Sequence, residues 1–184
     1  MDVVEKFRAY RSKKLEKIGK SLVKIGISAN QVTALAFLSG LAAVYFLFSN
    51  YYLFIIFALL HLCFDGMDGV IARLTKPTTA GKYFDLLSDS TVTFIAILKV
   101  AWLLQEFYVY ITAGLFLAAL FIHLVSTLRA PMFFLRTPTI IILLIAVNPS
   151  FPMTAATLTA GYLAAGGTSL FSLARQLQWY VGKR

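Results

Sequence analysis

Residues 65–89 read DGMDGVIARLTKPTTAGKYFDLLSD, and they place Asp65, Asp68, Asp85 and Asp89 within or beside long apolar stretches. The whole chain has only eight acidic residues, and none follows Glu106. An ionised carboxylate in a transmembrane helix costs roughly 2.5 kcal/mol or more on insertion scales, so four of them require compensating cations. Asp65 and Asp68 are three positions apart, and Asp85 and Asp89 four apart. On a helix, each pair therefore projects from one face. Two such faces opposed make a cage of carboxylates suited to hard divalent cations such as Mg²⁺ or Mn²⁺, which take oxygen ligands. Two ions bridged by carboxylates would cancel the four formal negative charges. Gly69 and Ala72 continue the Asp68 face, and Gly81 lies one turn before Asp85. Small residues there let helices, or a bulky phosphorylated ligand, approach the backbone. Arg73 at the mouth has a planar fork matched to phosphate.

The surrounding sequence is that of a membrane protein. Of 184 residues, 59% are apolar and 14% charged, with a mean hydropathy of +0.78, more apolar surface than one soluble core can bury. The single Cys63 excludes an internal disulfide. The net charge of +9 is not a nucleic-acid signature, because eight of the 17 basic residues fall in the first 24 positions, ahead of the first apolar run. Placed there, they point to anionic lipid head groups. That run begins too far into the chain, and is too long, for a cleavable signal peptide, so it is expected to be a span.

Leu15, Ile18, Leu22 and Ile25 recur at helical spacing among lysines and predict an amphipathic helix over residues 1–26 lying on the membrane. Six apolar stretches follow, at about 31–49, 52–74, 82–104, 107–128, 137–148 and 153–174. Most approach the ~20 residues that a spanning helix needs. The fifth is short unless it begins near Pro131. Basic residues alternate between the breaks: Arg73, Lys76 and Lys82, then Arg129 and Arg136, then Arg175, Lys183 and Arg184 lie on one side, and the breaks between them carry no basic residue. The positive-inside rule puts these groups, both termini and the acidic cluster on the cytoplasmic side of a multi-pass cell-membrane protein. The expected fold is all-α: the juxtamembrane helix over 1–26 and one six-helix transmembrane catalytic domain over 27–184. There is no internal repeat and no long linker.

Within 65–89, Asp65, Asp68, Gly69, Ala72 and Arg73 followed by Gly81, Asp85 and Asp89 resemble the signature D-x-x-D-G-x-x-A-R, then G-x-x-x-D-x-x-x-D, of CDP-alcohol phosphotransferases. Seven residues separate Arg73 from Gly81, one or two fewer than is usual in that family, and Ser90 stands where many members carry a basic residue. Upstream, Ser28-Ala29-Asn30-Gln31-Val32-Thr33 is similar to the family's P-N-x-x-T opening of the first span, with Ala29 in place of proline. The resemblance implies phospholipid biosynthesis: a lipid phosphoryl group passes from a CDP-lipid donor to a hydroxyl acceptor, such as glycerol phosphate or inositol phosphate, and CMP is released. It implies Asp65, Asp68 and Asp85 as metal ligands, with Asp89 shared between metal binding and general-base catalysis. Gly69, Ala72, Arg73 and Gly81 would serve the CDP moiety, and a homodimer is compatible with it. Asn30 and Thr33 would also contact CDP, or else act only as a helix cap and a helix hydroxyl.

Arg129, Arg136 and Arg175 are candidate clamps for a phosphate on the acceptor, against plain positive-inside anchoring. His61, one turn from Asp65, either supports it or packs, and His123 and Lys99 are expected to be structural. Intramembrane acids also suit an ion or proton transporter, and paired Asp-rich motifs suit an Mg²⁺-dependent prenyltransferase. Neither demands this combination of acids, glycines and an A-R pair on one cytoplasmic side.

Overall fold

A computed structural model describes residues 15–150 and 154–182. The described residues are helical, without strands. In chain order the helices are α1 (15–24), α2 (Ala29–Phe46), α3 (Tyr51–Thr75), α4 (Thr79–Leu104), α5 (Phe107–Val125), α6 (Arg136–Ala146) and α7 (Thr154–Val181). Helices α2 to α5 are each long and apolar enough to cross a membrane. The boundaries of these four fall within a few residues of the expected stretches.

Helix α6 is the short fifth stretch expected at about 137–148. It has 11 residues and is about 16 Å long at about 1.5 Å per residue, roughly half the hydrocarbon thickness. It does not extend back to Pro131, because residues 131–135 are non-helical and the Phe133 amide donates to Ser172 Oγ at 3.1 Å. Helix α7 has 28 residues, but its serines, threonines, glutamines and Arg175 leave it outside the four strongly apolar helices.

Among the described residues, the chain forms two compact units: those up to 45 with 52–89, and 46–51 with those from 90 onward. In the first, Val32 of α2 and Met67 and Ile71 of α3 form a buried cluster, against which Leu15, Leu22 and Val23 of α1 pack. The expected α1 stripe is thus split. Leu15 and Leu22 turn to protein, whereas Ile18 and Ile25 are 51% and 72% exposed. Residues 1–14 of the expected amphipathic helix lie outside the described residues. On the exposed side of α1, Lys20 Nζ lies 2.6 Å from Glu16 and holds its carboxyl below the usual carboxylate range.

Each turn in this unit has a local cause. Gly26, at φ +85°, makes the turn after α1. Ser28 and Gln31 then form a reciprocal capping box: the Ser28 amide donates to Gln31 Oε1 at 2.8 Å, and the Gln31 amide approaches Ser28 Oγ at 3.4 Å. Helix α3 ends at Lys76 in the left-handed region, φ 76°. After Pro77, Thr78 caps α4 by accepting the Gly81 amide at 3.0 Å.

In the second unit α7 packs on α5 and α6. The α5 to α7 seam is polar and tight: Gln176 Nε2 donates to the Ala119 carbonyl at 2.9 Å. A Cβ at Gly166 would stand only 2.9 Å from Thr112 Oγ1. Small residues that admit close backbone approach are the usual means of joining apolar helices without a hydrophobic driving force.

A Cβ on Gly19 would meet Val70 Cγ1 at 3.0 Å and Leu74 Cδ1 at 3.2 Å, so α1 rests on α3 at this point. Gly19→Leu is expected to cost about 1–3 kcal/mol through overpacking, read as a lower melting temperature of the detergent-solubilised protein. An unchanged melting temperature would show that α1 does not dock there.

Candidate active site and metal centre

The acidic motif falls on the last three turns of α3 and the first three of α4, joined by the 76–78 turn. Asp65 and Asp68 stand on one face of α3, and Asp85 is brought opposite by α4. Among the described residues, Asp65, Asp68 and Asp85 each present an oxygen within 4.8 Å of the others. Asp68 is buried, and Asp65, Asp85 and Asp89 are half-buried. Asp89, one turn beyond Asp85, stands outside the converging set.

Next to these acids is a cavity of about 280 Å³ within the first unit. Three helices contribute to it: Asn30 and Thr33 from α2, Asp68, Gly69 and Ala72 from α3, and Gly81 and Asp85 from α4. Of the residues singled out from sequence, Asn30, Thr33, Asp68, Gly69, Ala72, Gly81 and Asp85 thus share one space, whereas Asp65, Arg73 and Asp89 are not among its lining residues. The close approach of α2 and α4 depends on a missing side chain, since a Cβ at Gly81 would stand 3.0 Å from Asn30 Oδ1. Arg73 is exposed in the last turn of α3 and is not among the lining residues. Its charge there complements the negative end of the helix.

The structure resolves several alternatives. Ser28, rather than Asn30, caps α2, which leaves the Asn30 amide at the cavity. Thr33 Oγ1 lies 2.7 Å from Asp68 Oδ2 and 3.1 Å from the Ala29 carbonyl. His61 Nδ1 donates to the Ala36 carbonyl at 2.8 Å and so ties α3 to α2. His123 Nδ1 donates to the Ala130 carbonyl at 2.6 Å and closes the turn after α5.

Lys76 and Lys82 also line the cavity, a role missed from sequence, where they counted only as positive-inside charges. The available signal was Lys82 directly following the motif's Gly81. Arg129, Arg136 and Arg175 belong to the second unit. Arg129 is exposed beside Thr127 and Leu128, which adopt φ 55° and 62°. Arg136 opens α6 half-buried, and exposed Arg175 lies 3.4 Å from Gln178 Oε1.

A family model described as CDP-alcohol phosphatidyltransferase matches residues 27–173. The chain belongs to this family. The match includes the whole acidic motif and all of α2 to α6, so the resemblance carried by residues 65–89 is borne out. The chain is also 36% identical over 98 residues to an archaetidylinositol phosphate synthase of Pyrococcus horikoshii. That alignment covers 50% of this chain and 52% of the relative, so the chain matches about half of that protein's length.

An all-oxygen set of carboxylates spaced this closely fits a hard divalent cation. Asp65, Asp68 and Asp85 are the residues of this CDP-alcohol phosphatidyltransferase family member that could hold one. Mn²⁺ titration followed by electron paramagnetic resonance should show binding to the wild type, weakened roughly tenfold or more in Asp68→Asn and Asp85→Asn. Equal binding by all three proteins would exclude the cluster as the metal centre.

Proposed function

We propose that this protein transfers a lipid phosphoryl group from a CDP-activated lipid to a hydroxyl acceptor, releasing CMP, as a step of phospholipid biosynthesis. The observation that carries the reading is the single cavity where motif carboxylates, motif glycines and two lysines come together. Asp65, Asp68 and Asp85 would hold a divalent ion, Mg²⁺ or Mn²⁺, and Asp89 would share in a second. When bound, such ions neutralise diphosphate oxygens and the charge that develops on them during transfer.

The chain's own residues do the rest. Gly69 and Gly81 leave room for the diphosphate beside the backbone, and Lys76 and Lys82 bring positive charge to the same space. Ala72 keeps the wall between them low. Asn30 offers both an amide donor and an acceptor to the edge of the cytosine ring. Arg73 supplies a fork for an outer phosphate oxygen. Asp89 takes the proton from the acceptor hydroxyl. The acceptor oxygen then attacks the phosphorus that bears the lipid alcohol. A new phosphorus–oxygen bond forms, the bond from that phosphorus to the bridging oxygen breaks, and CMP leaves with the electron pair.

The name of the Pyrococcus horikoshii relative puts inositol phosphate first among the phosphorylated polyols as acceptor. The same name favours an isoprenoid ether donor. Acceptor-phosphate contacts for Arg129, Arg136 and Arg175 are proposed on their charge and their place in the topology. That topology is six spans with both termini and the site cytoplasmic, preceded by a juxtamembrane segment over 1–26 and supported by the alternation of basic residues along the chain.

The test is CMP release by purified protein from diacyl and isoprenoid-ether CDP-lipids. Each is offered inositol phosphate, glycerol phosphate, serine and inositol. Release is expected only with Mg²⁺ or Mn²⁺ present and a phosphorylated polyol as acceptor, and EDTA should abolish it. Asp89→Asn should lower kcat by roughly 10²–10⁴-fold, the range for loss of a general base. No CMP release under any of these conditions would overturn the assignment.

A further inference from the structure

We propose that Thr33 is a positioning residue for the metal centre: its hydroxyl orients the Asp68 carboxylate from a neighbouring helix, rather than contacting the nucleotide. The inference rests on the metal site of the proposed function and adds to it a residue that the acidic motif does not contain. Thr33 and Asp68 are 4% and 5% exposed, so their bond is largely shielded from bulk water. The separation of 2.7 Å is that of a short hydroxyl to carboxylate bond. Thr33 has one hydroxyl proton and two acceptors in reach. The Ala29 carbonyl at 3.1 Å is the ordinary back-bond of a threonine in a helix. The shorter, charge-assisted contact to Asp68 takes the proton.

The arrangement is rigid on both sides. Val32 beside Thr33 and Met67 beside Asp68 pack in one buried cluster. One helical turn beyond Thr33, the Ala36 carbonyl receives His61 Nδ1 of α3 at 2.8 Å. Helices α2 and α3 are thus joined by two buried polar links with apolar packing around them. A donor fixed in this way occupies one lone pair of Asp68 Oδ2 and constrains the carboxylate plane, which governs how the remaining lone pairs are presented. Groups that orient a ligating carboxylate in this manner commonly change metal affinity by roughly 10–100-fold when removed.

Thr33→Val preserves the shape and deletes the hydroxyl, while Thr33→Ser keeps the hydroxyl and deletes only a methyl. Mn²⁺ binding is measured directly by electron paramagnetic resonance on monodisperse protein, and the KM for CDP-lipid is measured at saturating Mn²⁺. The expected result is roughly tenfold weaker Mn²⁺ binding in Thr33→Val, wild-type binding in Thr33→Ser, and an unchanged KM in both. Unchanged Mn²⁺ affinity in Thr33→Val overturns the proposal, as does a raised KM with unchanged affinity, which would make Thr33 a nucleotide contact. Should Thr33→Val fail to fold, weakened Mn²⁺ binding in folded Thr33→Ser overturns it equally, and wild-type binding there supports it. A wild-type protein that binds no Mn²⁺ would instead bring down the metal site itself.

Discussion

Mutual repulsion among Asp65, Asp68 and Asp85 is the constraint on which the first unit depends. With oxygens within 4.8 Å of one another, each pair of full charges repels by about 3 kcal/mol at an effective dielectric near 20. A neutral donor such as the Thr33 hydroxyl contributes about 1.5–3 kcal/mol to a charged partner, which is too little to offset three such pairs. A divalent cation among the oxygens would convert the repulsion into attraction. The proposed ion is thus what would make the three acids tolerable together in an apolar helix pair.

Much of the local structure around the acids serves to hold three helix ends in register. The capping box at Ser28 and Gln31 starts α2 so that Asn30 and Thr33 reach the cavity. Lys76, in the left-handed region, and the Thr78 cap reverse the chain between α3 and α4 within three non-helical residues. Gly81 then lets the α4 start lie beside Asn30. Helix α1 closes on α3 at Gly19, with Leu15 and Leu22 against the buried cluster. These features lie in two stretches of sequence, residues 15–33 and 65–85, and the cavity beside the acids is where they meet.

The parts of this arrangement that follow from local periodicity were legible in the sequence. Spacings of three and four revealed which acids share a face, and lengths of apolar runs located α2 to α5 to within a few residues. The ordered acids, glycines and Arg73 pointed to the family that the match over residues 27–173 confirms. What was not legible depends on which helix lies beside which. The bond from Thr33 to Asp68 spans 35 positions, and His61 was readable as a partner of Asp65 until its ring was seen bonded to the α2 backbone. Periodicity put Leu15, Ile18, Leu22 and Ile25 on one stripe but could not divide it between protein and surroundings. The contact of Phe133 with Ser172, just ahead of α6, spans 39 positions and no local pattern announces it.

The most direct test is a structure determined with Mn²⁺ and a CDP-lipid, with the metal located by its anomalous scattering. The account predicts an anomalous peak enclosed by Asp65, Asp68 and Asp85, with the donor's diphosphate against it. Diphosphate bound with no peak at those carboxylates, under saturating Mn²⁺, would contradict it.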